Sequence, residues 1–187
     1  MKITESLSPV VLWIDEIEKG FLPLGAGVKQ RGGGAFGSFI TWLQEKKSPV
    51  FVVSTANEIE SLPPELIRKG RFDEIFFVDL PNIHERKKIF SIHLAKRKQN
   101  INRIDIDTLA EHSEGYSGAE IEQLIISAMY NGFSSRQQIS TSDFLNLLRQ
   151  TVPLSITMED QIRELREWAK IHTRAATMDV KRLDLFK

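Results

Sequence analysis

Two adjacent carboxylates, Asp15 and Glu16, directly follow the apolar run Val10–Ile14 in the stretch VVLWIDEIEKG, with no basic residue next to them. A buried strand that ends in acids places them at the carboxyl edge of a parallel sheet, where open α/β folds bind ligands. Oxygen ligands there suit Mg²⁺ carrying a nucleotide phosphate, and a second carboxylate can polarise an attacking water. We therefore predict Asp15 as the metal-side acid and Glu16 as the general base. The acids could instead simply solvate the end of a strand.

A second apolar run, Val50–Val53, ends in Ser54, Thr55, Ala56 and Asn57. If both runs are parallel strands, Asn57 lies at the same sheet edge as the acids, one crossover connection away. Its neutral amide can orient a water or contact a phosphate without adding charge. The alternative is a turn residue that caps the strand, a position that Asn and Ser favour.

The segment LPPELIRKGRFDE, residues 62–74, places two arginines just before a further apolar run. Pro63 and Pro64 can open a short helix and Gly70 can end it, which leaves Arg68 and Arg71 near the surface. Guanidinium groups so placed can neutralise developing phosphate charge, including on a nucleotide bound by a neighbouring subunit. A solvated basic turn that pairs with the acids after it is the alternative.

Three short β-branched runs have the pattern of strands buried on both faces of a parallel sheet. Between the first two, apolar residues recur at the spacing of a helix of about three turns, which predicts a βαβ unit. The glycine-rich stretch GAGVKQRGGGAFG before that helix predicts a loop. The three runs are Val10–Ile14, Val50–Val53 and Ile75–Val78, and the helical positions are Phe36, Phe39, Ile40 and Leu43.

After Pro81 the apolar pattern becomes helical, which predicts a separate helical module. Its clearest helix begins with the capping box formed by Ser117 and Glu120 and continues with an apolar stripe. The other predicted helices cover residues 82–98 and 105–112 and begin at about residues 141 and 157.

Composition excludes several classes of function. The 187 residues carry 25 basic and 25 acidic side chains and no cysteine, so no overall charge favours nucleic acid and no thiolate chemistry is available. The basic clusters have no aromatic interleaving, so no nucleic-acid partner is expected. No run has the length of a membrane span, and MKITESLSP lacks a signal-peptide core. We expect a soluble intracellular protein without a membrane partner.

Four motifs, in order, resemble the AAA family of P-loop ATPases: an apolar run with DE, then STAN, then LPPELIRKGRFD, then GYSGAE, over residues 10–122. They correspond to Walker B, sensor 1, the region with the arginine fingers, and the lid motif. The strings LWIDEIEKG, FITWLQEKKSPVFVV and LREWA are similar to a branch encoded in red-algal plastids and cyanobacteria, which implies a bacterial cytoplasm or the plastid stroma.

The resemblance implies a fold and a division into domains. The fold is α/β: strands 3–5 of a partial P-loop NTPase (AAA) parallel sheet, followed by an all-α helical lid. The implied domains are residues 1–80, the C-terminal half of the α/β core, residues 81–152, the lid, and residues 153–187, a helical extension.

The resemblance also implies roles in ATP and Mg²⁺ binding. Asp15 holds Mg²⁺ through water, Glu16 activates the hydrolytic water, and Asn57 is sensor 1. Arg68 and Arg71 are fingers that reach the nucleotide of the adjacent protomer, which requires a homo-oligomeric ring, commonly a hexamer.

At the start of the lid helix, small residues replace the arginine found there in many other P-loop machines, so no sensor 2 arginine is predicted. These residues lie close to the adenine and ribose: Gly115, Ser117, Gly118 and Ala119. Residues 20–35 fall where the family has a second pore loop, although their glycines could form a simple linker.

A phosphate-cradling G-x-x-x-x-G-K-[ST] loop is absent, and no Gly-Lys pair occurs anywhere in the chain. In the family this loop precedes Walker B, in sequence that would precede Met1. We therefore expect part of a ring ATPase that remodels an unknown protein or assembly, with no hydrolysis by this chain alone. The alternative is a non-hydrolysing regulatory module that docks on full-length AAA subunits.

Overall fold

The structure, a computed structural model, describes residues 1–20, 32–68 and 70–177, without the side chains of residues 32–36. The chain forms two compact units, Met1–Ile75 and Phe76–Lys187. The boundary predicted from the sequence lies after residue 80. The segment predicted to be the second pore loop, residues 20–35, falls mostly on residues 21–31, which lie outside the described residues.

The first unit contains the predicted βαβ arrangement. Strand β1 (Val10–Ile14) pairs in parallel with β2 (Val50–Ser54), in a register that places Val10 opposite Val50 and Ile14 opposite Ser54. Helix α2 (Gly32–Glu45) lies between these strands in the chain. The β-branched runs form strands because their side chains pack well on a pleated surface.

The core of the first unit lies on one face of this two-stranded sheet. The predicted stripe of α2 is buried at Phe39, Ile40 and Leu43, where it packs with Ile17 and Leu66. The side chain of the fourth predicted position, residue 36, lies outside the described side chains.

The opposite face of the sheet is exposed in this chain, whereas the apolar runs have the pattern of strands buried on both faces. Val11, Trp13 and Phe51 are 63%, 62% and 69% exposed. Successive side chains of a strand point to opposite faces, so a continuous apolar run does not show how many faces the surrounding structure covers. The sequence therefore predicted the two strands correctly, whereas the covering of their faces depends on the surrounding structure.

The third predicted strand is shorter and pairs elsewhere. Strand β3 (Phe76–Phe77) pairs in parallel with β4 (Arg174–Ala175), in a separate two-stranded sheet. Backbone N–H and C=O groups need partners, and the segment that follows helix α9 (Glu159–His172) supplies them for β3. An apolar run predicts extended backbone, whereas its partner is decided by parts of the chain distant in sequence.

Short helices complete the first unit: α1 (Lys2–Ser6), a 3-10 turn at Ile17–Gly20, another at Ile59–Ser61, and α3 (Pro64–Ile67). As predicted, proline stands at the first position of α3. Gly70, predicted to end this helix, has φ +94°, which is a left-handed conformation that glycine adopts without a steric penalty.

The second unit is the helical module. Its two longest capped helices begin with side chains that bond to the free backbone N–H groups of the first turn. Asn82 and Glu85 form a capping box, and Ser117 and Glu120 form the predicted one. The helices are α4 (Ile83–Lys96), a 3-10 turn at Ile101–Arg103, α5 (Ile106–His112), α6 (Gly118–Ser135), α7 (Thr141–Gln150), α8 (Leu154–Thr157) and α9 (Glu159–His172).

One apolar core joins α4, α5, α6 and α7. Phe90, Ile121 and Phe144, on three different helices, have no exposed surface. The buried members of this core are Phe90, Leu94, Ile104, Leu109, Tyr116, Ile121, Leu124, Ile125, Ala128, Phe144 and Leu148. Helical periodicity predicted the inward positions because one stripe of each helix faces this core.

Helix α9 is tied to the segment before α4 by a two-pronged ion pair. Arg166 Nε and Nη2 donate to Asp79 Oδ1 at 3.0 and 2.8 Å, and Nε also lies 3.0 Å from Oδ2. Both side chains are partly exposed. The pair therefore contributes about 1 kcal/mol at most and fixes orientation more than it stabilises.

Candidate functional site

The ends of β1 and β2 bring the predicted acids and the predicted asparagine together. Thr55 N donates to Ile14 O at 3.0 Å, and Ile17 N donates to Thr55 O at 2.9 Å. The backbone pairing thus continues past both strands, to Thr55 after β2 and to Ile17 after β1. This pairing brings Asn57 next to Asp15 and Glu16. The sequence predicts this arrangement, because two parallel strands end at the same edge of a sheet.

Thr55 links the two carboxylate-bearing residues and was missed by the sequence analysis. Its hydroxyl donates to Asp15 Oδ1 at 2.5 Å and accepts from the backbone N–H of Glu16 at 3.0 Å. A threonine hydroxyl can do both because it has one proton and two lone pairs. Glu16 itself has φ 49°, in the left-handed region that non-glycine residues rarely adopt. The Thr55 contact holds this conformation.

Both carboxylate oxygens of Glu16 have partners. Asn57 Nδ2 donates to Glu16 Oε1 at 2.9 Å, and Lys19 Nζ donates to Glu16 Oε2. The hydrogen bond and the charge of Glu16 raise the pKa of Lys19. The acids have no basic neighbour in the sequence, but the 3-10 turn folds Lys19 back onto Glu16.

The Lys19 contact is a weak restraint on Glu16. The two side chains are 64% and 36% exposed, so solvent screens the attraction between them and the pair is weak. Thermal motion and salt therefore release Glu16 from Lys19 easily, so the carboxylate is available to another partner.

The chemistry of Asp15 fits a role beside a hydrated metal ion. Its carboxylate is exposed, Thr55 occupies Oδ1, and Oδ2 makes no hydrogen bond to the described residues. Within the described ranges, no three acidic or histidine side chains form a group that could hold a metal by themselves. Mg²⁺ keeps several waters and takes few protein carboxylates, so a single acid suits Mg²⁺ that arrives with a nucleotide.

The two predicted finger arginines differ in their contacts. Arg68, which follows α3, is exposed and makes no hydrogen bond or ion pair with the described residues. Arg71 Nη1 donates to the backbone O of Glu65, and Arg71 Nε is buried without a partner in the described part of the chain. Arg71 is thus held by a contact within the chain, whereas Arg68 is available to another molecule.

The predicted lid residues lie at the start of α6 in the second unit. Ser117 Oγ accepts from Glu120 N at 3.3 Å, and Glu120 Oε2 accepts from Ser117 N at 2.7 Å. The other oxygen of Glu120 accepts from Leu154 N at 2.8 Å, which attaches α8 to the same turn. Gly118 and Ala119 are the first two residues of α6, and Ala119 is exposed.

Gly115 makes room for α8. Its φ is +81°, and a Cβ at this position would lie 2.1 Å from Ser155 Oγ and 3.1 Å from Ser155 Cβ. The resemblance to the family implied that Gly115 lies close to a nucleotide. The structure shows a packing reason for glycine at this position, and this reason is separate from ligand binding.

We predict that Gly115→Ala destabilises the second unit by about 2 kcal/mol or more, since it adds left-handed strain to an overlap with Ser155. Urea unfolding followed by circular dichroism measures the change. Gly118→Ala is the matched control: the added Cβ would lie 3.7 Å from Ile89 Cδ1, an ordinary contact. We expect a change within about 0.5 kcal/mol for this control. Equal effects of the two substitutions would contradict the packing role of Gly115.

Among the described residues, no helix is long and apolar enough to cross a membrane.

Comparison with sequence families gives two matches. Residues 1–80 match the ATPase family associated with various cellular activities (AAA), and residues 103–146 match the AAA+ lid domain.

Individual proteins with similar sequences carry the same family name. The uncharacterized AAA domain-containing protein ycf46 of Pyropia yezoensis is 52% identical over 171 residues, covering 90% of this chain and 35% of the relative. Its counterpart in Guillardia theta is 50% identical over 173 residues, covering 90% of this chain and 34% of the relative. The chain thus spans about a third of the length of these relatives.

A solved structure shows the same fold. The AAA domain of FIGL-1, crystallised in complex with ADP, superposes with a TM-score of 0.72 at 19% identity. The match covers 92% of this chain and 61% of that domain chain. These findings confirm the fold class and the resemblance to the plastid branch. The chain belongs to the AAA family of ATPases, and it carries the part of the family fold that runs from the DE-ended strand through the helical lid.

Proposed function

We propose that the ends of β1 and β2 form the metal and water side of an ATP hydrolysis site. One observation carries the proposal: the two strand ends bring an exposed carboxylate, a second carboxylate and an amide into one hydrogen-bonded group. These side chains belong to Asp15, Glu16 and Asn57. An acid for the metal, a base for water and a neutral orienting group are the components that phosphoryl transfer to water requires.

The three side chains have different tasks in this proposal. Asp15 would hold the hydrated Mg²⁺ with the oxygen that Thr55 leaves free, because Thr55 donates to the other oxygen. Glu16 accepts a proton from the attacking water, and Asn57 orients that water by its amide. Bound Mg²⁺ supplies charge neutralisation for the phosphates. Lys19 must leave Glu16 for the carboxylate to act as a base, which its exposure permits.

The arginines extend the proposal to an assembly. Arg68 is exposed and free to reach a nucleotide on an adjacent protomer, which supports a ring of subunits. Arg71, which is tied to Glu65, would reach such a nucleotide only after losing that contact. We propose that the assembly is a homo-oligomeric ring, most commonly a hexamer in this family, that acts on a protein or a larger assembly. The small residues at the start of α6 would lie close to the adenine and ribose of the nucleotide.

A chimera tests the proposal. The part of the Pyropia yezoensis protein upstream of its matched region is joined to Met1 of this chain, and phosphate release from ATP is measured with and without Mg²⁺. We expect turnover that needs Mg²⁺, and none by the 187-residue chain alone, because its sequence contains no phosphate-cradling loop.

Two results would contradict these expectations. Mg²⁺-dependent turnover by the chain alone, lost on Glu16→Gln, would show that a phosphate loop is dispensable here. A folded chimera that binds ATP in the presence of Mg²⁺ but releases no phosphate would overturn the hydrolytic role. If that chimera activates intact AAA subunits instead, the regulatory module is the better description.

A further inference from the structure

Glu18 is a buried carboxylate that the proposed chemistry does not use. It lies in the 3-10 turn after β1 and is 2% exposed. Glu18 Oε1 accepts from the backbone N–H of Asn57 at 3.1 Å. Glu18 Oε2 is also buried and has no hydrogen-bond partner among the described residues.

This arrangement is costly for the stability of the unit. A buried carboxylate is well tolerated only when it is paired or fully hydrogen-bonded, and one backbone amide satisfies only one of its two oxygens. A leucine of similar size would fill the same space without the desolvation penalty. The cost of Glu18 therefore indicates a role that an apolar side chain could not fill.

The contacts of Asn57 show what this role is. Asn57 is held at two points by two glutamates: its side-chain amide donates to Glu16 Oε1 at 2.9 Å, and its backbone amide donates to Glu18 Oε1 at 3.1 Å. The first contact sets the direction of the side chain. The second sets the position of the backbone from which that side chain extends. Without the second, Asn57 Nδ2 is free to move relative to Glu16.

We infer that Glu18 is a positioning residue that fixes the backbone of Asn57, so that its amide stays in register with Glu16. The inference rests on the proposed hydrolysis at this site. Small displacements of a group that orients a reactant lower the reaction rate strongly: a misplacement of about 1 Å can reduce it about 100-fold. Loss of the Glu18 acceptor should therefore lower kcat and leave the KM for ATP nearly unchanged, since Glu18 does not touch the ligand.

Two substitutions of similar volume separate the acceptor from the space that it fills. Glu18→Leu removes the acceptor, and Glu18→Gln keeps a carbonyl oxygen that the Asn57 N–H can reach. In the chimera we expect Glu18→Leu to lower kcat about 10- to 100-fold with KM changed less than about threefold. We expect Glu18→Gln to retain kcat within about threefold of the unsubstituted protein.

A second measurement uses the 187-residue chain itself and does not depend on turnover. Hydrogen exchange of the backbone amide of Asn57 should become faster in the Glu18→Leu variant and stay slow in the Glu18→Gln variant. The midpoint of thermal unfolding of Glu18→Leu should be equal to or higher than that of the unsubstituted chain, because a buried carboxylate has been removed. Lower turnover at undiminished stability is a result that a merely structural residue would not give.

The outcomes distinguish this inference from the hydrolysis proposal. If Glu16→Gln abolishes turnover but Glu18→Leu leaves kcat and Asn57 exchange unchanged, the positioning role is wrong and hydrolysis stands. A Glu18→Gln variant that loses as much activity as Glu18→Leu would also overturn it. If the chimera has no turnover at all, exchange at Asn57 alone decides whether Glu18 fixes this backbone.

Discussion

Glu16→Gln should lower Mg²⁺-dependent ATP turnover of the chimera by about 100- to 10,000-fold, the range for loss of a general base. Glutamine has nearly the same shape, and its carbonyl oxygen can still accept from Asn57 Nδ2. It cannot accept a proton from water at neutral pH. The substitution therefore removes the chemistry and preserves the geometry that joins the two strand ends.

Nucleotide binding should survive this substitution. Glu16 is proposed to act on the water and Asp15 on the metal side, so the Kd of the chimera for ATP with Mg²⁺ should be unchanged or lower. Steady-state phosphate release and a calorimetric titration measure the two quantities. Asp15→Asn, in contrast, should weaken the Mg²⁺ dependence of binding.

A matched glutamate provides the control. Glu60 is exposed, lies in the 3-10 turn after β2, and takes no part in the hydrogen bonds of the site. Glu60→Gln should retain full turnover. If Glu16→Gln keeps more than about a tenth of the rate, a general base at this position is excluded, because loss of such a base costs at least 100-fold.

Phe90→Ala should reduce the stability of the second unit by about 3–5 kcal/mol, the range for removal of a buried phenylalanine. Phe90 lies on α4, has no exposed surface, and belongs to the core that also contains Phe144. The substitution loses both the transfer free energy of the ring and the contacts of the atoms that surrounded it. Such a loss is a large fraction of the stability of a domain of this size.

The same change at an exposed site provides the comparison. Phe133 lies on α6 and is 85% exposed, so Phe133→Ala should alter stability by about 0.5 kcal/mol or less. Urea unfolding measures both variants, with amide exchange in α4 and α6 to assign the change to the second unit. A Phe90→Ala variant as stable as Phe133→Ala would mean that the helices do not pack as described.

The helices and the βαβ unit were accessible from the sequence because their signals are local. The Ser117 and Glu120 capping box fixed the start of α6 within one turn, and the apolar spacing around Phe39 predicted the crossover helix. The DE-ended strand and the STAN segment also predicted that Asp15 and Asn57 meet at one edge. Each of these features depends on residues a few positions apart or on the general geometry of parallel strands.

The contacts within the site were not accessible in the same way. Thr55 joins the two acids across 40 positions of the chain, and Glu18 reaches Asn57 across 39. Lys19, three residues from Glu16, meets it only because the chain turns after β1. These contacts depend on the register of two strands and on a left-handed residue at their edge, neither of which has a signature in composition or periodicity.

The sequence alone determined the family motifs, the helical module, and the absence of a phosphate-cradling loop from the 187 residues. These follow from residue identity and short spacing. Only the tertiary structure decided which side chains of the sheet are exposed, that Phe76 and Phe77 pair with Arg174 and Ala175, and that Arg71 donates to the backbone of Glu65. Burial and pairing are properties of atoms brought together from distant parts of the chain, so they are fixed by folding and not by any single segment.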